Sequence, residues 1–233
     1  MPIFTLGSRP VFPDPSRADP DGLLAVGGDL SPARVLQAYR AGIFPWYDPG
    51  SPILWWSPPE RALVLPGEQR CSRRTGRALR RTGFEVRRDT CFEAVIGHCA
   101  RIPRPGQDGT WITGEMRRAY LELHRQGYAH SFETFREGRL VGGLYGLSLG
   151  AAFFGESMFS LESYGSRAAF ADLCRTAWGW GFHFIDGQLP NPNLLDLGFR
   201  VLPREAFLAR LAQALEHPTR KGSWTESSPA LEK

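Results

Sequence analysis

HSFETFREGRLVGGLYGLSLGAAFFGESMFS, residues 130–160, reads as three strands in a meander, with turns near Glu137-Gly138 and Leu149-Gly150. Upstream, ALVLP (62–66) reads as a strand, SRRTGRALRRTG (72–83) as a helix and FEVRRD (84–89) as a strand. CFEAVIGHCA (91–100) reads as a helix, RIPRPGQDGTWIT (101–113) as a loop, and MRRAYLELHRQGY (116–128) as an amphipathic helix. Downstream come a helix over SRAAFADLCRTAWGWG (166–181), a strand HFIDGQ (183–188) and a short helix around NLLDLG (193–198). The helix PREAFLARLAQALE (203–216) closes the order, and the tail after His217 is polar and expected to fray. Strands and helices around one central meander predict an α+β chain with an acetyltransferase-like (GNAT-like) mixed sheet. That fold accepts several acyl donors and does not specify a function.

The first sixty residues have a different grammar. FPDPSRADPDG (12–22) predicts an extended arm, because closely spaced prolines break regular structure. Ser31 can cap a helix, Pro32 suits its first position and Gly42 can end it, giving a helix from Pro32 to Ala41. FPWYDPGSPILWWSPPER (44–61) is too broken for a helix and too rich in proline for a central strand. The expectation is a small irregular domain over 1–60 and a catalytic domain over 61–233.

The chain has 233 residues and no apolar run of the roughly 18 residues that cross a membrane; its start resembles no secretory signal, so a cytoplasmic location is expected. Cys71, Cys91, Cys99 and Cys174 lie far apart, without the spacing of a zinc site or a disulfide framework. The net charge is +4, and lysine occurs only at 221 and 233. A phosphate-bearing partner and a genomic preference for arginine codons both account for so much arginine.

Several strings, in order and spanning residues 12 to 211, resemble the leucyl/phenylalanyl-tRNA–protein transferase family. They are GLLAVGGDLSPARVLQAYRAGIFPWY (22–47), PILWWSPPER (52–61), GTWIT (109–113), HSFETFREGRLVGGLYG (130–146), FFGESMFS (153–160), FIDGQL (184–189) and LGFRVLPREAFL (197–208). The resemblance implies transfer of Leu or Phe, with Met a poorer donor, from aminoacyl-tRNA to proteins with N-terminal Arg or Lys. The new N-terminal residue marks the product for degradation under the N-terminal rule. No metal, organic cofactor or membrane partner is implied.

The reaction is aminolysis of an activated ester. An α-amino group titrates near 7.7–8.0, so a modest base suffices and no covalent intermediate is required. By resemblance the catalytic residues are Asp186 and Gln188, with Asp186 polarising the Gln188 amide, and Glu156 as a site for the acceptor's positive group or its proton. Two residues apart on one strand, Asp186 and Gln188 share a face. Apart from the resemblance, they are also what a polar strand end looks like, and Glu156 what an internal ion pair looks like.

Leu144, Phe153, Met158 and Ile185 correspond to the family's aminoacyl pocket, although apolar strand residues are usually plain core. Tyr39, Trp46, Trp111 and Tyr120 offer rings that can stack on the terminal adenosine of tRNA, and packing between domains explains Tyr39 and Tyr120 equally well. Arg73, Arg77, Arg80 and Arg81 recur at helical spacing and can track acceptor-stem phosphates or form a solvated face. Three positions depart from the family pattern: Arg167 for lysine, Gly187 for cysteine, which is expected to loosen the strand end, and Asn193 for histidine. A coenzyme A donor is not expected, because MFSLESYGSRAAF (158–170) lacks the glycine spacing of a pyrophosphate loop. A noncatalytic tRNA-binding module is the remaining rival.

Overall fold

Residues 3–102 and 110–225 are described by the computed structural model, so most of the loop expected over 101–113 and the end of the tail lie outside the described residues. The meander forms as expected: β7 (Ala129–Arg136), β8 (Arg139–Leu149) and β9 (Ala152–Ser160) pair antiparallel in register order. They lie in a seven-stranded sheet ordered β11-β5-β10-β9-β8-β7-β6, completed by β5 (Glu60–Val64), β6 (Glu85–Arg88), β10 (Phe184–Asp186) and β11 (Arg200–Pro203). Among the described strands of this sheet, only β9 and β10 pair in parallel. The α+β expectation holds. β11 was not anticipated, since RVLP is too short to show a strand period.

Helix α5 (Gly165–Gly179) covers one face of β7–β9, and α3 (Phe92–Arg101) and α4 (Gly114–Arg125) cover the other. With both faces covered, nearly all of β8 is buried, so its sequence lacks polar alternation. On α4, Met116, Ala119, Tyr120 and Leu123 form the buried stripe, and Thr113 caps the helix by accepting from the Met116 amide at 3.2 Å.

The N-terminal segment is regular, which corrects the expectation of an irregular domain. β1 (Phe4–Leu6), β2 (Leu23–Gly27), β3 (Phe44–Pro45) and β4 (Leu54–Trp56) form a sheet ordered β1-β2-β4-β3. β4 is an interior strand whose prolines, Pro52 and Pro58, flank rather than interrupt it, and Pro45 is tolerated because β3 is an edge. Strands of two to five residues are too short to print an alternating pattern. The helix α1 (Pro32–Arg40) follows its predicted span, and Ser31 occupies the cap position without a side-chain cap bond. Pro15–Arg17 adds one 3-10 turn to the arm.

One buried cluster joins Leu24, Ala25 and Trp55 of the small sheet to Tyr39, Tyr120, Phe154 and Phe184. A second, on the α5 face, holds Leu144, Phe153, Phe170, Leu173 and Ile185. Trp224 also belongs to it and is 4% exposed, so the tail is docked as far as Trp224 rather than frayed from 217. No helix among the described residues is long and apolar enough to cross a membrane, and all four cysteines are free.

Candidate functional site

At Glu156, β9 carries one residue more than β8. Tyr145 lies opposite Ser157 and Gly146 opposite Gly155, leaving Glu156 without a partner on β8. Such a bulge turns a side chain out of the pleat's alternation. Glu156 keeps the face of Phe154, towards α1 and α4, and it is Met158 that the bulge returns to the face of Phe153.

There Tyr39 Oη donates to Glu156 Oε1 at 2.6 Å and Tyr120 Oη to Oε2 at 2.8 Å, and the two hydroxyls are 2.8 Å apart. Each hydroxyl has one proton, so when both point at a carboxylate the contact between them carries none. When Glu156 is protonated it can donate to one of them, and the triangle accommodates either state. Burial pushes the Glu156 carboxyl up to about 7 against the lowering effect of the two tyrosines. Both phenols are held well above their ordinary value, chiefly by burial and then by Glu156, so they remain donors near neutral pH.

Asp186 and Gln188 do not share a strand face. β10 ends at Asp186, and Gln188 has φ of 56°, a left-handed conformation that costs a non-glycine residue about 1–3 kcal/mol. The turn is held on both sides: Gly187 N donates to Ala62 O at 2.8 Å and Ala62 N to Gln188 O at 2.9 Å. Asp186 Oδ1 accepts from the Gln188 backbone amide at 2.8 Å, not from its side chain.

The rest of the Asp186 carboxylate belongs to Arg61, whose Nε lies 3.0 Å from Oδ1 and whose Nη2 lies 2.7 Å from Oδ2. Both residues are fully buried, Arg61 between the rings of Phe44 and Phe207 and with Nη1 donating to Gly42 O at 3.0 Å. Arg61 went unrecognised in the sequence, though it closes the string PILWWSPPER. The expected polarisation of the Gln188 amide by Asp186 is replaced by a buried ion pair that fixes the Gln188 backbone. The Gln188 side chain points to Glu156 instead, with Nε2 3.4 Å from Oε1.

Gly187 does not loosen this turn, because Leu194 and Phe199 occupy the space where a side chain would start, at 2.7 and 2.9 Å from a Cβ. Asn193 Nδ2 lies 3.7 Å from Met158 Sδ, and Arg167 pairs with Asp196.

Leu144, Phe153, Met158 and Ile185 are brought together in the α5-side cluster, with Leu144 paired to Met158 and Ile185 to Phe153 in register. They lie on the opposite face from Asp186 and Glu156. Phe153, Ile185 and Leu144 are buried, and Met158 is the half-buried member.

Tyr39 and Tyr120 are fully buried, their rings packed edge-on against Phe154 and Tyr145, so neither offers a face to a base. That corrects their assignment as stacking platforms. Trp46 is exposed, 5.9 Å from Trp56, and Trp111 is half-buried. The Tyr47 hydroxyl, 3.2 Å from Thr113 Oγ1, ties the two tryptophan-bearing segments together.

On α2 (Arg73–Arg81), Arg73, Arg74, Arg77 and Arg81 border a groove of about 490 Å³ with Tyr164, and Arg80 stands outside it. The helix buries no residue, and none of its arginines ion-pairs among the described residues. Arg74 was missed because it falls between the periodic positions.

A family model described as "Leucyl/phenylalanyl-tRNA protein transferase" matches residues 63–212, and one for the N-terminal domain of the same family matches residues 28–59. The leucyl/phenylalanyl-tRNA–protein transferase of Anaeromyxobacter sp. (strain K) is 54% identical over 224 residues, 96% of each chain. That of Myxococcus xanthus is 50% identical over 232 residues, 99% of each chain. Among solved structures, a functionally unknown conserved protein from Staphylococcus epidermidis aligns with a TM-score of 0.40 at 10% identity, covering 62% of this chain and 57% of its own, too slight a likeness to assign a fold family. The chain belongs to the leucyl/phenylalanyl-tRNA protein transferase family, which are aminoacyltransferases.

Proposed function

We propose that, as a member of this family, the chain transfers Leu or Phe, and Met less well, from aminoacyl-tRNA to proteins with N-terminal Arg or Lys, with Glu156 as the proton acceptor. The observation that carries the assignment to Glu156 is its environment: a carboxyl raised to about 7, held by two tyrosines and within reach of Gln188. An acceptor ammonium titrating near 7.7–8.0 is well matched to such a base.

Glu156 takes one proton from the ammonium, and the freed amine attacks the ester carbonyl. The new C–N bond forms as the C–O bond to the terminal ribose breaks, and the amine's next proton goes to the departing ribose oxygen. Gln188, with its Nε2 towards Glu156, keeps its carbonyl oxygen to orient the amine. Asp186 and Arg61 act as positioning residues, through the backbone of Gln188.

The α5-side residues Leu144, Phe153, Met158 and Ile185 supply an apolar slot for a side chain unbranched at β, with half-buried Met158 at its mouth. Trp46 and Trp111 serve the terminal adenosine. The arginines of α2 follow acceptor-stem phosphates, a role favoured by their lack of carboxylate partners among the described residues. The two sheets support a division into a small domain over 1–60 and a catalytic domain over 61–233. The mixed sheet with its parallel β9–β10 pair supports the acetyltransferase-like reading. We place the enzyme in the cytoplasm, acting without coenzyme A, metal or organic cofactor.

The test is transfer of radiolabelled leucine from leucyl-tRNA to a protein beginning with Arg, comparing wild type, Glu156→Gln, Gln188→Ala and Asp186→Ala after each is shown to be folded. Robust wild-type transfer that collapses in Glu156→Gln supports the assignment. Full transfer by Glu156→Gln removes Glu156 as the base, and binding of tRNA without transfer by wild type leaves a noncatalytic module.

A further inference from the structure

The tail beyond α7 (Arg204–Leu215) crosses the sheet's turns and places Trp224 in the α5-side core. Gly150 N donates to Thr219 Oγ1 at 2.9 Å and Gly222 N to Gly127 O at 3.2 Å. A Cβ on Gly127 would stand 2.3 Å from Gly222 N, so the two backbones meet only because residue 127 is glycine. Trp224 is then fixed in three ways. Its backbone N donates to Asp89 Oδ2 at 2.8 Å, its indole Nε1 donates to Arg220 O at 3.2 Å, and its ring stacks on His130 with centroids 3.6 Å apart and planes at 7°.

That fixed ring meets Phe153 at 6.0 Å and Phe132 at 6.2 Å, while Phe132 and Phe153 meet each other at 6.2 Å. The three rings form a closed triangle. Phe153 is a member of the proposed slot, and Phe132 pairs in register with Leu144, another member. Because interiors are close-packed, the ring behind Phe153 limits how far it can retreat when a larger donor side chain enters.

We propose that Trp224 is a specificity-determining positioning residue, a back wall that sets the depth of the aminoacyl slot through Phe153. The inference rests on the slot reading given above. Removing the indole frees space behind Phe153, deepens the slot and favours the longer phenylalanyl side chain over leucyl.

The experiment measures kcat/KM for phenylalanyl- and leucyl-tRNA, and the acceptor KM, in the full-length wild type, Trp224→Ala, Trp224→Phe and Phe153→Leu. Trp224→Leu serves instead of Trp224→Ala if the alanine variant does not fold. The expected result is a roughly tenfold shift of the donor ratio towards Phe in the variant without a ring at 224, an unchanged acceptor KM, and a ratio near wild type in Trp224→Phe. Equal loss on both donors would make Trp224 merely structural and overturn the proposal. A shift in Phe153→Leu with none in the Trp224 variants overturns it while leaving the slot reading intact. No shift in either set removes the slot reading and the proposal together, and a shift in the Trp224 variants without one in Phe153→Leu rules out action through Phe153.

Discussion

On the face of the central sheet towards α1 and α4, β9 and β10 present half-buried Glu156 and buried Asp186, each with named partners; on the α5 face the same two strands present Phe153, Met158 and Ile185. Away from these strands the α5 face carries buried charge, as in Arg88–Asp172 near the β6 edge. Under the proposed roles, one sheet keeps proton transfer and side-chain selection apart. In that proposal the bulge at Glu156 and the left-handed turn at Gln188 are where the two chemistries meet. A change on one face is therefore expected to alter rate and pH dependence, and a change on the other to alter donor preference.

The strongest test of this separation is Arg61→Met, which leaves the Asp186 carboxylate buried without its cation. A loss of about 3–5 kcal/mol in chemical denaturation is expected, together with loss of transfer. Pairing it with Asp186→Leu should restore much of the stability but not the transfer, since Gln188 then lacks its backbone anchor. Unchanged stability in the single variant would mean the ion pair does not organise the site.

Glu156→Gln should lower kcat/KM by about 10²–10⁴-fold and lack the rise in rate through about pH 7 that is expected of the wild type if Glu156 is the base. Stability should respond with a definite sign. The folded-state carboxyl lies above its ordinary 4.5, so the wild type is at no disadvantage below pH 4.5 and loses stability as pH rises through 7. The Gln variant should accordingly be the more stable at pH 8, by up to about 3 kcal/mol, with the gap closing at pH 5. An unaltered pH profile would detach the proton from Glu156.

Smaller effects are expected from Tyr39→Phe and Tyr120→Phe, each of which removes one donor from the Glu156 carboxylate. The carboxyl should then titrate higher, moving the rising limb of kcat/KM upward by about one pH unit with little change in its plateau. Smallest, and confined to the other face, Met158→Ala should change the leucyl-to-phenylalanyl ratio by a few-fold to roughly tenfold while leaving the pH profile alone. A shifted pH profile in Met158→Ala, or a shifted donor ratio in Tyr39→Phe, would break the separation of the two faces.

The meander was legible because its strands are eight to eleven residues long and punctuated by Glu137-Gly138 and Gly150, whose left-handed backbones mark tight turns. The helix α1 was legible from Pro32 and Gly42. The two- to five-residue strands of the small sheet carried no usable period, and the docking of Trp224 depends on a glycine contact made across the fold. At the site, ordered motifs identified Glu156, Asp186 and Gln188. The assumption that residues 184–188 continue as a strand gave the last two the wrong relation.

What the sequence determined by itself was the family, the α+β class and the identity of the polar residues, because these depend on local periodicity and on ordered motifs. Tertiary structure alone decided that Asp186 belongs to Arg61, that Tyr39 and Tyr120 serve Glu156, and that Trp224 stands behind Phe153. The polar pairings join residues 36 to 125 positions apart at hydrogen-bonding range, Trp224 and Phe153 meet through their rings, and the extra residue in β9 reverses the face that the residues after it meet. A pattern with period two cannot foresee where it will slip by one.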